Sequence, residues 1–187
     1  DDINTVRGQE SLYCTLNPLE KNSKFTLSEN NLKFTNSTNN WTGWIGGTQT
    51  FKTGKWYWEV RIDVSTQYHI FGIVNTTLGS ISAADTYQYA MAYQTDGRFY
   101  EENNGTASFS SGNPTAQTVG DICSIAVDMD NKKMWLGING QWIGGANPSD
   151  GYLPNWDSTR GFTDGDTYMP VFMSYGSSGQ TVNFGQK

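Results

Sequence analysis

The stretch that decides the fold is Gly54-Lys55-Trp56-Tyr57-Trp58-Glu59-Val60-Arg61-Ile62-Asp63, "GKWYWEVRID" at residues 54–63. Side chains alternate strictly from Trp56 onward. Trp56, Trp58, Val60 and Ile62 fall on one face of an extended chain, and Tyr57, Glu59 and Arg61 on the other, the pattern of a half-buried β-strand. The apolar face wants burial, so the two tryptophans read as core and not as a sugar-stacking platform. Glu59, set among aromatic rings, is the one residue here that invites a catalytic reading.

Outward from this strand the chain repeats the same grammar. Short alternating runs occur at Leu32–Thr35, His69–Asn75, Tyr89–Gln94, Arg98–Tyr100, Ile122–Asp128, Lys133–Ile138, Met169–Tyr175 and Thr181–Phe184. Gly, Asn, Ser and Thr interrupt nearly every window long enough for three helical turns. Asp96-Gly97 and Asn139-Gly140 are dipeptides that accept the positive φ angles of a type I′ hairpin. Together with a turn at Asp130-Asn131, they make residues 122–143 a three-stranded meander. Polar loops separate the runs at Asn36–Asn40, Thr76–Tyr87, Glu102–Gly120 and Gly144–Thr167, with one helical turn expected at Ser82–Thr86. The expectation is an all-β, two-sheet antiparallel β-sandwich with little or no helix.

Composition narrows the function. A chain of 187 residues is read as a single domain over residues 1–187. Aromatic residues make up 14 % of it, which favours sheets. The formal net charge of -6 argues against nucleic acid or an anionic membrane as partner. No run of about 18 apolar residues is present to span a membrane. The start at Asp1 instead of Met suggests a piece of a longer protein. Cys14 and Cys123 fit neither a disulfide framework nor a metal site and read as buried thiols.

Several residues suggest chemistry and then fail the test of spacing. Glycoside hydrolysis needs two carboxylates facing one bond, and Glu59 has no second; Glu101 and Glu102, as strand neighbours, point to opposite faces. His69, the sole histidine, lacks a Gly-x-Ser-x-Gly partner. Asp128 and Asp130 begin a segment like a calcium loop, but Lys133 and Asn139 occupy the positions that should be Gly and Glu. Gly43–Gly47 and Trp142–Gly145 lack the strand-to-helix setting of a phosphate loop and read as sheet-edge glycines. Sequons at Asn36, Asn40, Asn75 and Asn104 are what an Asn- and Thr-rich chain produces by chance.

In their order these segments resemble a SPRY domain. Gly54 with Tyr57-Trp58-Glu59-Val60 matches that family's Gly-x-x-Tyr-Trp-Glu-Val strand, and Gly120-Asp121 its later entry strand. Asp128, Trp135 and Asn139-Gly140 match its hairpin. Pro170 with Phe172, and Asn183-Phe184-Gly185, match its closing strands. The match runs from about residue 17 to residue 186, and residues 13–36 resemble the lead-in of SPRY-like domains in phage virion proteins. The resemblance implies a concanavalin-like jelly roll that binds through loops at one end, without catalysis or cofactor. The expected function is then a binding module on the surface or tail fibre of a phage particle, located on the virion, recognising a host-surface glycan or protein. A peptide-binding module in the cytoplasm and a capsid decoration domain touching other virion proteins are the alternatives. The expected ligand-binding residues are aromatic and polar groups near loops: Trp41, Trp44, Tyr68, His69, Tyr87, Tyr89, Trp156 and Asp157. Of these, Trp44 and Tyr89 also sit where strands begin and are equally readable as core.

Overall fold

A computed structural model describes residues 13–38, 43–64, 68–76, 116–151 and 165–185, and the strand backbones at 89–94, 99–103 and 106–110. The strands are β1 (Leu16–Lys21), β2 (Phe25–Ser28), β3 (Lys33–Asn36), β4 (Ile45–Gly47), β5 (Lys55–Val64), β6 (His69–Asn75) and β7 (Tyr89–Gln94). They continue as β8 (Phe99–Asn103), β9 (Thr106–Ser110), β10 (Ile122–Asp128), β11 (Lys133–Ile138), β12 (Gln141–Trp142), β13 (Tyr168–Ser174) and β14 (Ser178–Asn183). They form two seven-stranded antiparallel sheets, ordered β1-β4-β13-β6-β7-β8-β9 and β12-β11-β10-β5-β14-β3-β2. Among the described residues the only helical piece is a 3₁₀ turn at Ile143–Gly145.

The alternation in residues 54–63 sets this geometry. β5 lies in the middle of its sheet between β10 and β14, with Trp58 opposite Ile125 and Val60 opposite both Cys123 and Val182. Trp58, Val60, Ile62, Ile125, Val127 and Val182 face Phe71, Ile73, Tyr168 and Phe172 of the other sheet across one continuous core. A smaller cluster of Trp44, Ile70, Val74, Met169, Val171 and Met173 is buried on the opposite face of the first sheet. β6 and β13 are therefore buried on both faces, and between their polar ends, over residues 70–74 and 169–173, they are correspondingly apolar instead of alternating.

One part of the alternation reading fails. Trp56 is on the inward face but 37 % exposed, because it sits at the end of the sandwich, stacked on Phe51 at 5.2 Å between ring centroids.

The turns follow the chemistry of their side chains. Asn139 and Gly140 have φ of 50° and 77°, as a type I′ hairpin requires. The Asn139 side chain ties the turn to the start of β10, accepting from Ile122 N at 3.0 Å and donating to Asp121 Oδ1 at 2.9 Å. Asp128 accepts from the backbone N–H and side-chain amide of Asn131 at 3.0 and 2.9 Å, and Asp130 accepts from Gly54 N at 2.9 Å. These acids cap turns.

Gly46 and Gly47 are not at a sheet edge, contrary to the sequence reading. β4 runs between β1 and β13, and a Cβ on Gly47 would stand 2.9 Å from Cys14 Sγ. The chain needs a hydrogen there so that β1 can close on the sheet. Cys14 and Cys123 are both buried thiols. Two of the sequon asparagines, Asn36 and Asn75, are 2 % and 3 % exposed, which removes them as glycan acceptors. The turn expected at Ser82–Thr86 and the Asp96-Gly97 hairpin lie outside the described residues.

Candidate functional site at the Tyr68 end

The last pair of the β6–β13 ladder, His69 opposite Ser174, brings the flanking residues Tyr68 and Tyr175 together at one end of the sandwich. Tyr175 N donates to Tyr68 O at 2.8 Å, and the two rings meet edge to face at 6.4 Å. Tyr68 is 36 % exposed and Val64, the last residue of β5, is 48 % exposed. An aromatic pair and an aliphatic side chain thus stand at the surface on strand ends that hydrogen bonds hold in register.

Beneath them is a buried polar network that joins the two sheets. His69, fully buried on β6, meets Gln180 of β14 through Nδ1 at 2.9 Å. The same Gln180 amide nitrogen donates to Met173 O at 3.0 Å, so its second hydrogen points to His69 Nδ1, which accepts. Burial pushes the His69 pKa down to about 4, and the imidazole is neutral at physiological pH. Asn36, at the end of β3, donates across the sheets to Ser174 O at 2.8 Å, and Thr38 N donates to Asn36 Oδ1 at 3.0 Å. The Ser178 hydroxyl lies 3.2 and 3.1 Å from the carbonyl oxygens of Tyr175 and Gly176, tying down the β13–β14 turn.

A charged group lies beside this network on β5. Asp63 contacts Arg61 at 2.6 Å, Lys33 at 3.4 Å and the Thr181 hydroxyl. Burial raises the Asp63 pKa, but the Thr181 hydrogen bond and the Arg61 guanidinium outweigh it and hold the carboxyl below its ordinary range.

These positions sort the expected ligand residues. Tyr68 is at the surface of this end. His69 is not a contact residue: at 0 % exposure it holds the sheets together. Nor is Trp44, which at 1 % exposure packs in the smaller core cluster. It follows a loop in sequence, but the next residue already enters β4. Tyr89 opens β7 opposite Asn103, and its side chain is outside the described residues, as are Trp41, Tyr87, Trp156 and Asp157. Tyr175 and Val64, which the structure places at this end, were not among the expected residues. Each closes an apolar strand run, and a run's last residue looks like core until the ladder's end is known.

Glu59 lies on the outer face of the second sheet, accepting from the Tyr57 hydroxyl at 2.6 Å and from Asn183 Nδ2 at 3.4 Å. Its oxygens are occupied by groups that position it. Among the described residues no cluster of three or more His, Cys, Asp or Glu is arranged to hold a metal ion.

No family model and no curated protein sequence matches the chain. Solved structures do. The SPRY domain of human HERC1 superposes with a TM-score of 0.64 at 15 % identity, covering 92 % of this chain and 99 % of that one. The fold is that of the SPRY domains. The TRIM65 PSpry domain gives 0.62 at 16 % identity, covering 96 % of this chain and 98 % of that one. Stonustoxin gives 0.61 at 16 % identity over 91 % of this chain and 26 % of the toxin chain. The SPRY architecture read from residues 54–63 and the strands that follow is thus met in the structure. The phage setting finds no counterpart in these three similar structures.

Proposed function

We propose that this SPRY-fold domain is a non-catalytic interaction module that recognises a protein partner at the Tyr68 end of the sandwich. The observation that carries the reading is the exposed Tyr68 ring, paired with Tyr175 and held over the His69–Gln180–Asn36 network. Aromatic rings fixed in place supply contact area without an ordering cost on binding, and such rings dominate the energetics of interfaces. Similarity to the PSpry domain of TRIM65 and the SPRY domain of HERC1 supports the same class of function.

A narrower setting is a virion-surface or tail-fibre domain that recognises a host glycan or protein. It is supported by the resemblance of residues 13–36 and by the acidic, Asn- and Thr-rich composition. Sequence flanking residues 1 and 187 tests that setting, since a fibre-forming repeat beside the domain supports it and a RING or ankyrin neighbour opposes it.

The function is tested by selecting binders from a random peptide library and, in parallel, by a glycan array. Selected peptides are expected to lose about thirtyfold or more in affinity on Tyr68→Ala and on Tyr175→Ala, the size of an interface hot spot, with an unchanged thermal midpoint. Peptide binding that survives both substitutions, or glycan binding alone, overturns the proposal.

A further inference from the structure

Trp58, Val60 and Ile62 of β5 point into the core, so the residues between them, Tyr57, Glu59 and Arg61, stand on the outer face of the second sheet with Lys55 and Asp63 at either end. The charges along this row are matched, with one exception. Lys55 meets Asp128 at 3.5 Å, Arg61 meets Asp63 at 2.6 Å, and Lys33 meets Asp63 at 3.4 Å. Glu59 sits in the middle of the row and pairs with no cation among the described residues. The two cations that flank it on the strand are turned to other carboxylates. Its own contacts are hydrogen bonds from the Tyr57 hydroxyl at 2.6 Å and from Asn183 Nδ2 at 3.4 Å.

Tyr57 is 52 % exposed, yet it is held in place. Its hydroxyl lies on Glu59 and 3.2 Å from Ser124 Oγ, and its ring meets Trp142 edge to face at 6.5 Å. Trp142 lies against Gly137, where a Cβ would stand 3.1 Å from its ring. A carboxylate has about four lone-pair sites, and the two hydrogen bonds to Glu59 use two of them. An accessible aromatic ring thus stands beside a positioned carboxylate with acceptor capacity to spare. The protein as a whole, at a formal net charge of -6, draws cations to its surface in preference to anions. A guanidinium suits both groups, because it is planar enough to stack on a ring and donates in a fork to a carboxylate. An ammonium ion offers a point charge without the flat face, and a neutral sugar would leave the charge on Glu59 unmatched.

We propose that Tyr57 and Glu59 form a second docking site, which takes an arginine side chain of a protein partner with the guanidinium on the Tyr57 ring and its N–H groups donating to Glu59. Tyr57 is seven residues along β5 from Val64, about 23 Å in an extended strand. The site is therefore separate from the Tyr68 end and does not depend on the function proposed for it.

The full chain, labelled with ¹⁵N, is titrated with the Nα-acetyl amides of arginine, lysine and citrulline, and with maltose. The arginine amide is expected to move the Trp142 indole and Asn183 side-chain amide resonances. It should bind about three- to tenfold more tightly than the citrulline amide, which has the same shape without the charge, the margin of a partly exposed charged contact. Raising the salt from about 0.05 M to about 0.5 M should remove most of that preference. Glu59→Gln keeps the shape and removes the charge, so it should bind the arginine and citrulline amides equally. Tyr57→Ala should bind neither, while Tyr68→Ala should bind as the unaltered protein does. Both altered residues at the site reach the surface, and an otherwise unchanged spectrum verifies that the variants fold. Equal binding of the arginine and citrulline amides by the unaltered protein, or a response to maltose alone, overturns the proposal without recourse to a variant. Binding of the lysine amide as tight as that of arginine overturns the assignment to a planar cation.

Discussion

Trp56 and Trp58 are two residues apart on one face of one strand, yet Trp58 is 2 % exposed and Trp56 37 %. Position along the sandwich makes the difference. Trp58 reaches the packed interior with Val60 and Ile125, whereas Trp56 covers Phe51 at the rim. Trp58→Ala should therefore cost about 3–5 kcal/mol, as for a large core aromatic, and Trp56→Ala about 1–2 kcal/mol, the worth of one partly exposed aromatic stack with its share of burial. Urea denaturation of the two variants measures both. Equal costs would mean that burial does not distinguish the two rings. Alternation named the face of the strand from sequence alone, because the face depends only on the period of two. It could not say where along the strand the interior ends, because that is decided by packing partners outside the strand, Phe51 and Pro170 among them.

Elements in the middle of a sheet were legible, and those at its margins less so. β6, β7, β10 and β11 occupy the ranges expected from their sequences, since each is built mainly of apolar residues suited to a pleated sheet. β1, β2 and β9 were missed, and each of them lies at a sheet edge. An edge strand has one neighbour, tolerates Pro18 and polar residues, and so lacks the apolar signature. β4 was missed for another reason. Ile45-Gly46-Gly47 has little β propensity, but it is clamped between β1 and β13, where tertiary contact overrides propensity. Gly47 should therefore resist substitution: the methyl of Gly47→Ala would meet Cys14 Sγ at 2.9 Å and Pro170 Cδ at 3.3 Å, a loss of about 1–3 kcal/mol by overpacking. Adding Cys14→Ala removes the nearer obstacle and should restore part of that loss. A double-mutant cycle reads the coupling, and strict additivity would show that Cys14 is not what requires the glycine.

For the whole molecule, the core holds the two sheets together without regard to pH, but the His69 network is a joint between them that protonation weakens. His69 belongs to one sheet and Gln180 to the other, and the folded imidazole is neutral because burial pushes its pKa down to about 4 from the ordinary 6.5. Above pH 6.5 neither folded nor unfolded chain binds a proton there, and stability does not depend on this group. Between pH 6.5 and 4 the unfolded chain takes up a proton that the folded chain refuses, so stability falls as pH falls, at up to about 1.4 kcal/mol per pH unit. Asp63, Asp121 and Asp128, whose pKa values are lowered in the fold, lose their contribution at still lower pH, which among the described residues leaves the window above pH 4 to the histidine. Denaturation midpoints taken from pH 7.5 to 4.5 should show this slope in the unaltered protein. In His69→Gln, which places an uncharged amide beside Gln180, the curve should be flat over the same range, whatever the absolute stability of the variant. A flat curve in the unaltered protein, or an undiminished slope in the variant, would mean that the joint between the sheets is not the acid-sensitive part of the fold. It would also remove the argument that the Tyr68 end rests on a support that is rigid at neutral pH and loosens in acid.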